Sequence, residues 1–203
     1  MPGSPLEHYD YTINEWSSGG FSSILEELPV DIKTIFDVGA NGGGFTRVML
    51  NRYPQAVVTA FEPVQRNYDE LVKLVPEATC IKAAVFYGIK ESKLYWRGDN
   101  CGACFISEVN AGDDKLPMNE STEVVTFESI TKDVPDLIKL DVEGAEENIL
   151  EHSALAKKTP WLIIEWHPEH VPAREFFRQH LPNHKVLVNL EDKQFLLCLK
   201  SQS

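Results

Sequence analysis

Around position 141 the sequence reads KLDVEGAE, which brings Asp141, Glu143 and Glu146 together where an apolar run gives way to a helix-like one. Carboxylates at such a junction have two readings. They complement the positive end of a helix, a gain of about 0.3 to 1 kcal/mol, or they face a ligand at the carboxyl end of a strand. Asp141 stands at the strand tip itself and takes the second reading. Further on, LIIEWH at 162–167 spaces Glu165 and His167 two residues apart, so both side chains leave the same face of an extended run. An imidazole titrates near neutrality, so His167 suits proton transfer by type, whereas Asp141 or Glu165 needs burial to raise its pKa into that range. Taken alone, His167 is a satisfied histidine at a strand end; beside Asp141 and Glu165 it becomes a candidate catalytic group. Two carboxylates and an imidazole are also ligands for a divalent cation that would acidify a hydroxyl. Nothing in the spacing demands a metal, and none is assigned.

A second cluster lies far upstream. FDVGANGGG at 36–44 follows an apolar run and precedes a helical segment, the context in which a glycine-rich string carries weight. Glycine lets the backbone come close to a ligand, and a helix start presents free amides. The glycines fall at 39, 42, 43 and 44, with Asn41 where G-x-G-x-x-G would place another. That weakens a pyrophosphate-binding reading and leaves Asp37, at the strand end, to hold a cationic ligand bearing an amino group. Glu62 ends the next apolar run in AFEP, close to the spacing at which an acid bonds a ribose diol. In that role Glu62 is expected to contribute to a complex and little to the core.

These residues need elements to hold them. From Thr34 onward, runs rich in β-branched residues alternate with helix-length segments, the pattern of a parallel sheet covered on both faces. Strands are expected at Thr34 to Gly39, Val57 to Glu62, Thr79 to Phe86, Leu137 to Asp141 and Trp161 to His167. Helices are expected at Phe21 to Leu28, Gly44 to Arg52, Val64 to Val75, Gly144 to His152 and Ala173 to Leu181. Between Phe86 and Leu137 the alternation breaks, with short strands at Lys93 to Trp96 and Glu123 to Phe127 flanking a polar stretch. At the end, Lys185 to Leu190 and Gln194 to Leu199 are too close for a parallel crossover and must form an antiparallel hairpin. An all-parallel dinucleotide fold does not finish that way.

Four segments, FDVGANGG, VVTAFEPVQRNYDEL, DLIKLDVEGAEENIL and LIIEWH, occur in this order between Thr34 and His167, and the chain resembles the FkbM family of S-adenosylmethionine-dependent methyltransferases through them. The resemblance implies an α/β fold: a seven-stranded Rossmann-like methyltransferase sheet, mostly parallel with a C-terminal antiparallel hairpin and helices on both faces. It implies S-adenosylmethionine as cofactor, with Asp37, Gly39, Asn41 and Gly43 lining its methionine and ribose side and Glu62 on the ribose hydroxyls. Asp141 would border the cofactor as well as the acceptor. IKAAVF at 81–86 lacks the acid or amide with which related enzymes touch adenine, so Pro63 or Val64 is expected to supply apolar contact there. Asp141, Glu165 and His167 would be catalytic, and the acceptor would be a hydroxyl of a small molecule or sugar.

The 203 residues suit one domain, with residues 1–30 as an N-terminal cap and 87–134 as a substrate-side insertion. Acidic residues outnumber basic ones 31 to 19, a formal charge of -12 that repels phosphate backbones, so nucleic acid is not an expected partner. No leader or spanning run is legible, so a cytoplasmic protein without membrane contact is expected. Cys80, Cys101, Cys104 and Cys198 are expected to be reduced thiols, and the lone CxxC lacks the second ligand pair of a zinc site. Two rivals share parts of the pattern. A nicotinamide-dependent oxidoreductase has the same strand, turn, helix and acid, but neither the irregular glycine string nor the hairpin. A non-catalytic module binding S-adenosylmethionine would keep the fold, yet has no use for carboxylates at the substrate end.

Overall fold

A computed structural model of the protein describes residues 5–19, 21–96, 104–106, 118–167, 172–190 and 196–201. Two helices, α1 (Pro5–Ser17) and α2 (Ser22–Glu27), precede β1 (Thr34–Val38), α3 (Gly44–Arg52), β2 (Val57–Phe61), α4 (Gln65–Leu74) and β3 (Thr79–Ile81). Next come β4 (Ala84–Val85), β5 (Glu91–Trp96), β6 (Cys104–Ile106), β7 (Met118–Val125) and the short α5 (Phe127–Ile130), all but β4 within residues 87–134. The chain then runs through β8 (Leu137–Leu140), α6 (Glu146–His152), α7 (Ala154–Lys158), β9 (Trp161–Glu165), α8 (Ala173–His180), β10 (His184–Leu190) and β11 (Leu196–Ser201).

Seven strands form one sheet in the order β10-β11-β9-β8-β1-β2-β3. The five from β9 to β3 are parallel, while β11 runs antiparallel to both β9 and β10. The expected mostly parallel sheet closed by a hairpin is therefore present. Alternation along β1 explains the two-sided core: Ile35 packs with Trp16, Ile24, Phe45 and Met49 on one face, and Phe36 with Phe61, Phe127 and Ile149 on the other. The order reverses at β1, whose neighbours are β2 and β8, and this is where ligand crevices open in such sheets. At the amino ends of that pair, Asp136 Oδ2 accepts from Lys33 N, Thr34 N and Thr34 Oγ1 and fastens β8 to β1.

Several elements differ from the sequence expectation. The run Thr79 to Phe86 is two strands, because Ala83 N–H donates to Ile81 O and turns the chain between them; β4 then leaves the main sheet and pairs with β7. Phe127 starts α5 instead of ending a strand: Thr126 caps the helix by accepting from Ser129 N–H, and Phe127 is fully buried against Phe36 and Phe61. The segment before β1 contains α1, which packs on α3. A second sheet, in the order β4-β7-β5-β6, joins β4 to the three strands of residues 87–134, and Cys101 of the CxxC lies outside the described residues.

Candidate functional site

The loops after β1, β2 and β8 meet at the carboxyl edge of the sheet. After β1 the chain turns at once: Gly39 N–H and Ala40 N–H both donate to Phe61 O, which ties the glycine turn to the end of β2. Gly39 has φ 76, and a Cβ there would lie 1.8 Å from Asp141 O, so the close approach of β1 to β8 allows no side chain. Gly43, with φ 89, forms the start of α3. Asn41 holds a left-handed φ of 50 and stays there because its Oδ1 accepts from Gly42 N–H while its own N–H donates to Glu62 Oε2 at 2.8 Å.

Glu62 is buried. Besides Asn41 N–H it accepts from Val64 N–H at 3.0 Å and Asn67 Nδ2 at 3.3 Å, so it joins the loops after β1 and β2. Burial raises its pKa to about 7 against the opposing pull of these donors. Pro63 is half-buried beside it and Val64 fully so.

Under the turn sits a cation that sequence reading left out. Lys139 lies in the apolar run of β8, and its ammonium donates to Gly39 O at 2.9 Å, reaches Asp141 Oδ2 at 3.0 Å and lies 3.6 Å from Asp37 Oδ1. Burial works against its charge, but Asp141 and Asp37 outweigh that and raise its pKa. Asp37 is wholly buried, and burial raises its pKa in spite of Lys139. Its Oδ2 accepts from Thr46 Oγ1 at 2.5 Å, whereas Oδ1 has no hydrogen-bond partner.

Beyond Lys139 lies the carboxylate and imidazole cluster. β9 ends at Glu165, yet His167 still turns to the same place: Nε2 is 3.7 Å from Glu165 Oε1 and 3.5 Å from Glu143 Oε2. Its Nδ1 is 2.9 Å from Oε1 of Glu146, a fully buried carboxylate that also accepts from Val142 N–H and Gly144 N–H. Glu146 thus folds the loop after β8 around itself and fixes the ring of His167. Glu143 sits at a left-handed φ of 53, a conformation that costs a non-glycine residue on the order of 1 kcal/mol or more. Burial raises Glu143 to about 7 and Glu165 to about 8, each aided by the Asp141 charge. Burial disfavours the charged form of His167, but the Glu146 hydrogen bond and the surrounding carboxylates raise it to about 10.

A strand, a glycine turn tied to an acid at the next strand end, and a carboxylate cluster across the switch point now stand together, and the family model of the methyltransferase FkbM domain matches residues 37–195. The chain belongs to the FkbM methyltransferase family. It is an S-adenosylmethionine-dependent methyltransferase. Solved structures agree at the level of fold: precorrin-6y C5,15-methyltransferase from Geobacter metallireducens is 14% identical, with TM-score 0.52 over 89% of this chain and 86% of that one. A fibrillarin/Nop5p complex is also 14% identical, with TM-score 0.52 over 92% and 82%. An O-methyltransferase family protein from Burkholderia thailandensis is 11% identical, with TM-score 0.52 over 98% of this chain and 59% of that one. No curated protein matches the sequence.

In this FkbM domain the structure brings together the sequence candidates in two groups. Gly39, Asn41, Gly43, Glu62 and Pro63 border the glycine turn, with Asp37 beneath it; Asp141, Glu165 and His167 form the second group, with ligand atoms within 4.8 Å of one another. Lys139 and Asp141 join the two. Lys139 carried a legible signal, a charge inside an apolar strand two residues before Asp141 and on its face. The role of Glu146 had none, since only tertiary folding reveals its burial. Among the described residues no helix is long and apolar enough to cross a membrane.

Proposed function

We propose that this FkbM domain methylates a hydroxyl oxygen of a small molecule or carbohydrate, with Asp141, Glu165 and His167 on the acceptor side. The observation that carries the reading is the convergence of these three side chains, each partly exposed, one loop away from the glycine turn. The cofactor fits the residues present. Glu62 has three donors on its two oxygens, which leaves room for a ribose hydroxyl. The buried Asp37 Oδ1, which has no hydrogen-bond partner and lies 3.6 Å from the Lys139 ammonium, is an acceptor suited to an amino group. Gly39, Asn41 and Gly43 give the backbone of the turn, and Pro63 and Val64 the apolar contact for the base. When bound, S-adenosylmethionine supplies a methyl carbon that an acceptor oxygen takes as the carbon–sulfur bond breaks.

The protein's own part is alignment and proton removal. Alignment is worth up to about 7 to 11 kcal/mol for well-placed reactants. Asp141, pinned by Lys139, orients the acceptor, and Glu143 and Glu165, the carboxylates flanking His167 Nε2, are the acceptors for the hydroxyl proton. The anionic composition supports a small neutral or cationic acceptor over a nucleic acid. Residues 87–134, with their separate sheet, would cover the acceptor, and residues 1–30 would cap the opposite side of α3.

The test uses cofactor labelled in its methyl group and a panel of sugars, polyols and phenols, with amines, thiols, RNA and protein as competitors. Methyl ethers are the expected products. Glu165→Gln should keep affinity for S-adenosylhomocysteine while losing about 10²- to 10⁴-fold in turnover. Label found only on nitrogen or in macromolecules would refute the acceptor assignment.

A further inference from the structure

Five carboxylates, those of Asp37, Asp141, Glu143, Glu146 and Glu165, converge on one ammonium, Lys139, and one imidazole, His167. Even with the ring protonated, only two cationic groups stand among five carboxyl groups. The orientation of His167 sharpens the imbalance. Glu146 Oε1 lies 2.9 Å from Nδ1, and both of its oxygens already accept backbone N–H groups, so Nδ1 carries the ring hydrogen and donates it. Nε2 is then left facing Glu143 and Glu165 at 3.5 and 3.7 Å. The carboxylates of Glu143 and Glu165 on either side of Nε2 attract a positive charge there, a proton in the free protein or a metal ion in its place. The space between them is built for positive charge.

We propose that Asp141, Glu165 and His167 bind a divalent transition-metal ion of the Mn²⁺ class, with Glu146 orienting the imidazole and Lys139 orienting Asp141. Ligand atoms within 4.8 Å of one another share a point no more than about 2.8 Å from all three. Shifts of a few tenths of an ångström bring them to metal–ligand lengths of about 2.0 to 2.6 Å. One imidazole nitrogen with two carboxylate oxygens suits Mn²⁺ or Fe²⁺ better than Mg²⁺ or Ca²⁺, which take oxygen alone, or a thiolate-seeking ion. The carboxylate behind a ligating imidazole and the fixed second oxygen of Asp141 are the supports that metal sites need. Access is present, since the side chains of Asp141, Glu165 and His167 retain 28%, 22% and 13% of their exposure. Three protein ligands leave positions for an acceptor hydroxyl, whose acidity the ion would raise. With Glu165 engaged, Glu143 is the carboxylate left to take the proton. That catalytic role rests on the O-methylation reading above; binding of the ion does not.

The experiment is a titration of the purified protein with Mn²⁺ alone, followed by loss of the free-ion electron paramagnetic resonance signal at 0.3 M salt. One site is expected in the parent. His167→Ala and Asp141→Asn should abolish it, and Glu146→Gln should weaken it by about 10- to 100-fold. Glu151→Gln, an exposed acid on α6, should leave it unchanged. Each variant is checked for fold by binding of S-adenosylhomocysteine in chelator. Absence of a site in the parent, or weak binding that all variants including Glu151→Gln share, overturns the proposal as mere condensation on an acidic surface. Failure of the parent to bind S-adenosylhomocysteine would strike the cofactor reading instead, and the two outcomes are separate.

Discussion

Replacing Glu62 by glutamine removes a charge without removing volume, and the structure sets the size of the effect. In the proposed cofactor site the ionised form is the one that would accept ribose hydroxyls, and burial holds the pKa at about 7 in the free protein. The carboxylate fraction is then about nine tenths at pH 8 and about one tenth at pH 6. Affinity for S-adenosylhomocysteine should therefore fall about tenfold from pH 8 to pH 6, with release of about half a proton on binding at pH 7. Calorimetry at three pH values in buffers of different ionisation enthalpy reads both quantities. Glu62→Gln should bind about 1.5 to 3 kcal/mol more weakly for each charged hydrogen bond lost, and its affinity should not follow pH. In the ligand-free protein the sign is opposite. The folded pKa of about 7 exceeds the ordinary 4.5, so this group's contribution to stability is full below 4.5 and is lost as pH rises through about 7. A parent affinity that is flat between pH 6 and 8, or a slope that survives in Glu62→Gln, would refute the reasoning.

Two further outcomes follow from the crevice. Gly39→Ala would set a Cβ 1.8 Å from Asp141 O at a φ of +76, so it should lower Tm by several degrees and remove S-adenosylhomocysteine binding in a thermal-shift assay; an unchanged Tm would show that the turn is not rigid. Lys139→Met leaves Asp37 and Asp141 without their shared cation and should cost about 3 to 5 kcal/mol in urea unfolding, part of which Asp141→Asn should restore in the double variant; purely additive costs would contradict the bridge.

Much of this architecture is legible in the sequence because it is local. The five parallel strands are near-continuous apolar runs, and the closeness of the last two strands forces a hairpin whatever the rest of the chain does. The glycine turn and Glu62 stand out for the same reason, a short string in a fixed context. What pattern could not reveal depends on distant contacts. Glu62 was expected to contribute little to the core, yet it is buried and holds Asn41, Val64 and Asn67, so Glu62→Ala would also cost stability. The split between β3 and β4 turns on one hydrogen bond at Ala83. Glu146 reads as an ordinary acid in the first turn of a helix, which it is, and only the return of the chain through β9 brings His167 to it.

The latch at Asp136 bears on how this crevice comes to exist at all. β1 and β8 are parallel neighbours about a hundred residues apart in sequence, a closure that is slow and open to mispairing. The ladder between them is a repeating backbone pattern and offers little to tell one alignment from the next. A slip of one residue would carry Lys139 to the opposite face and separate the glycine turn from Asp141. Among the described residues the Asp136 carboxylate accepts only from Lys33 and Thr34, and its three bonds form in a single alignment. It acts as a proofreading mark at the end away from the chemistry, admitting the one pairing in which both halves of the site arrive on the same side.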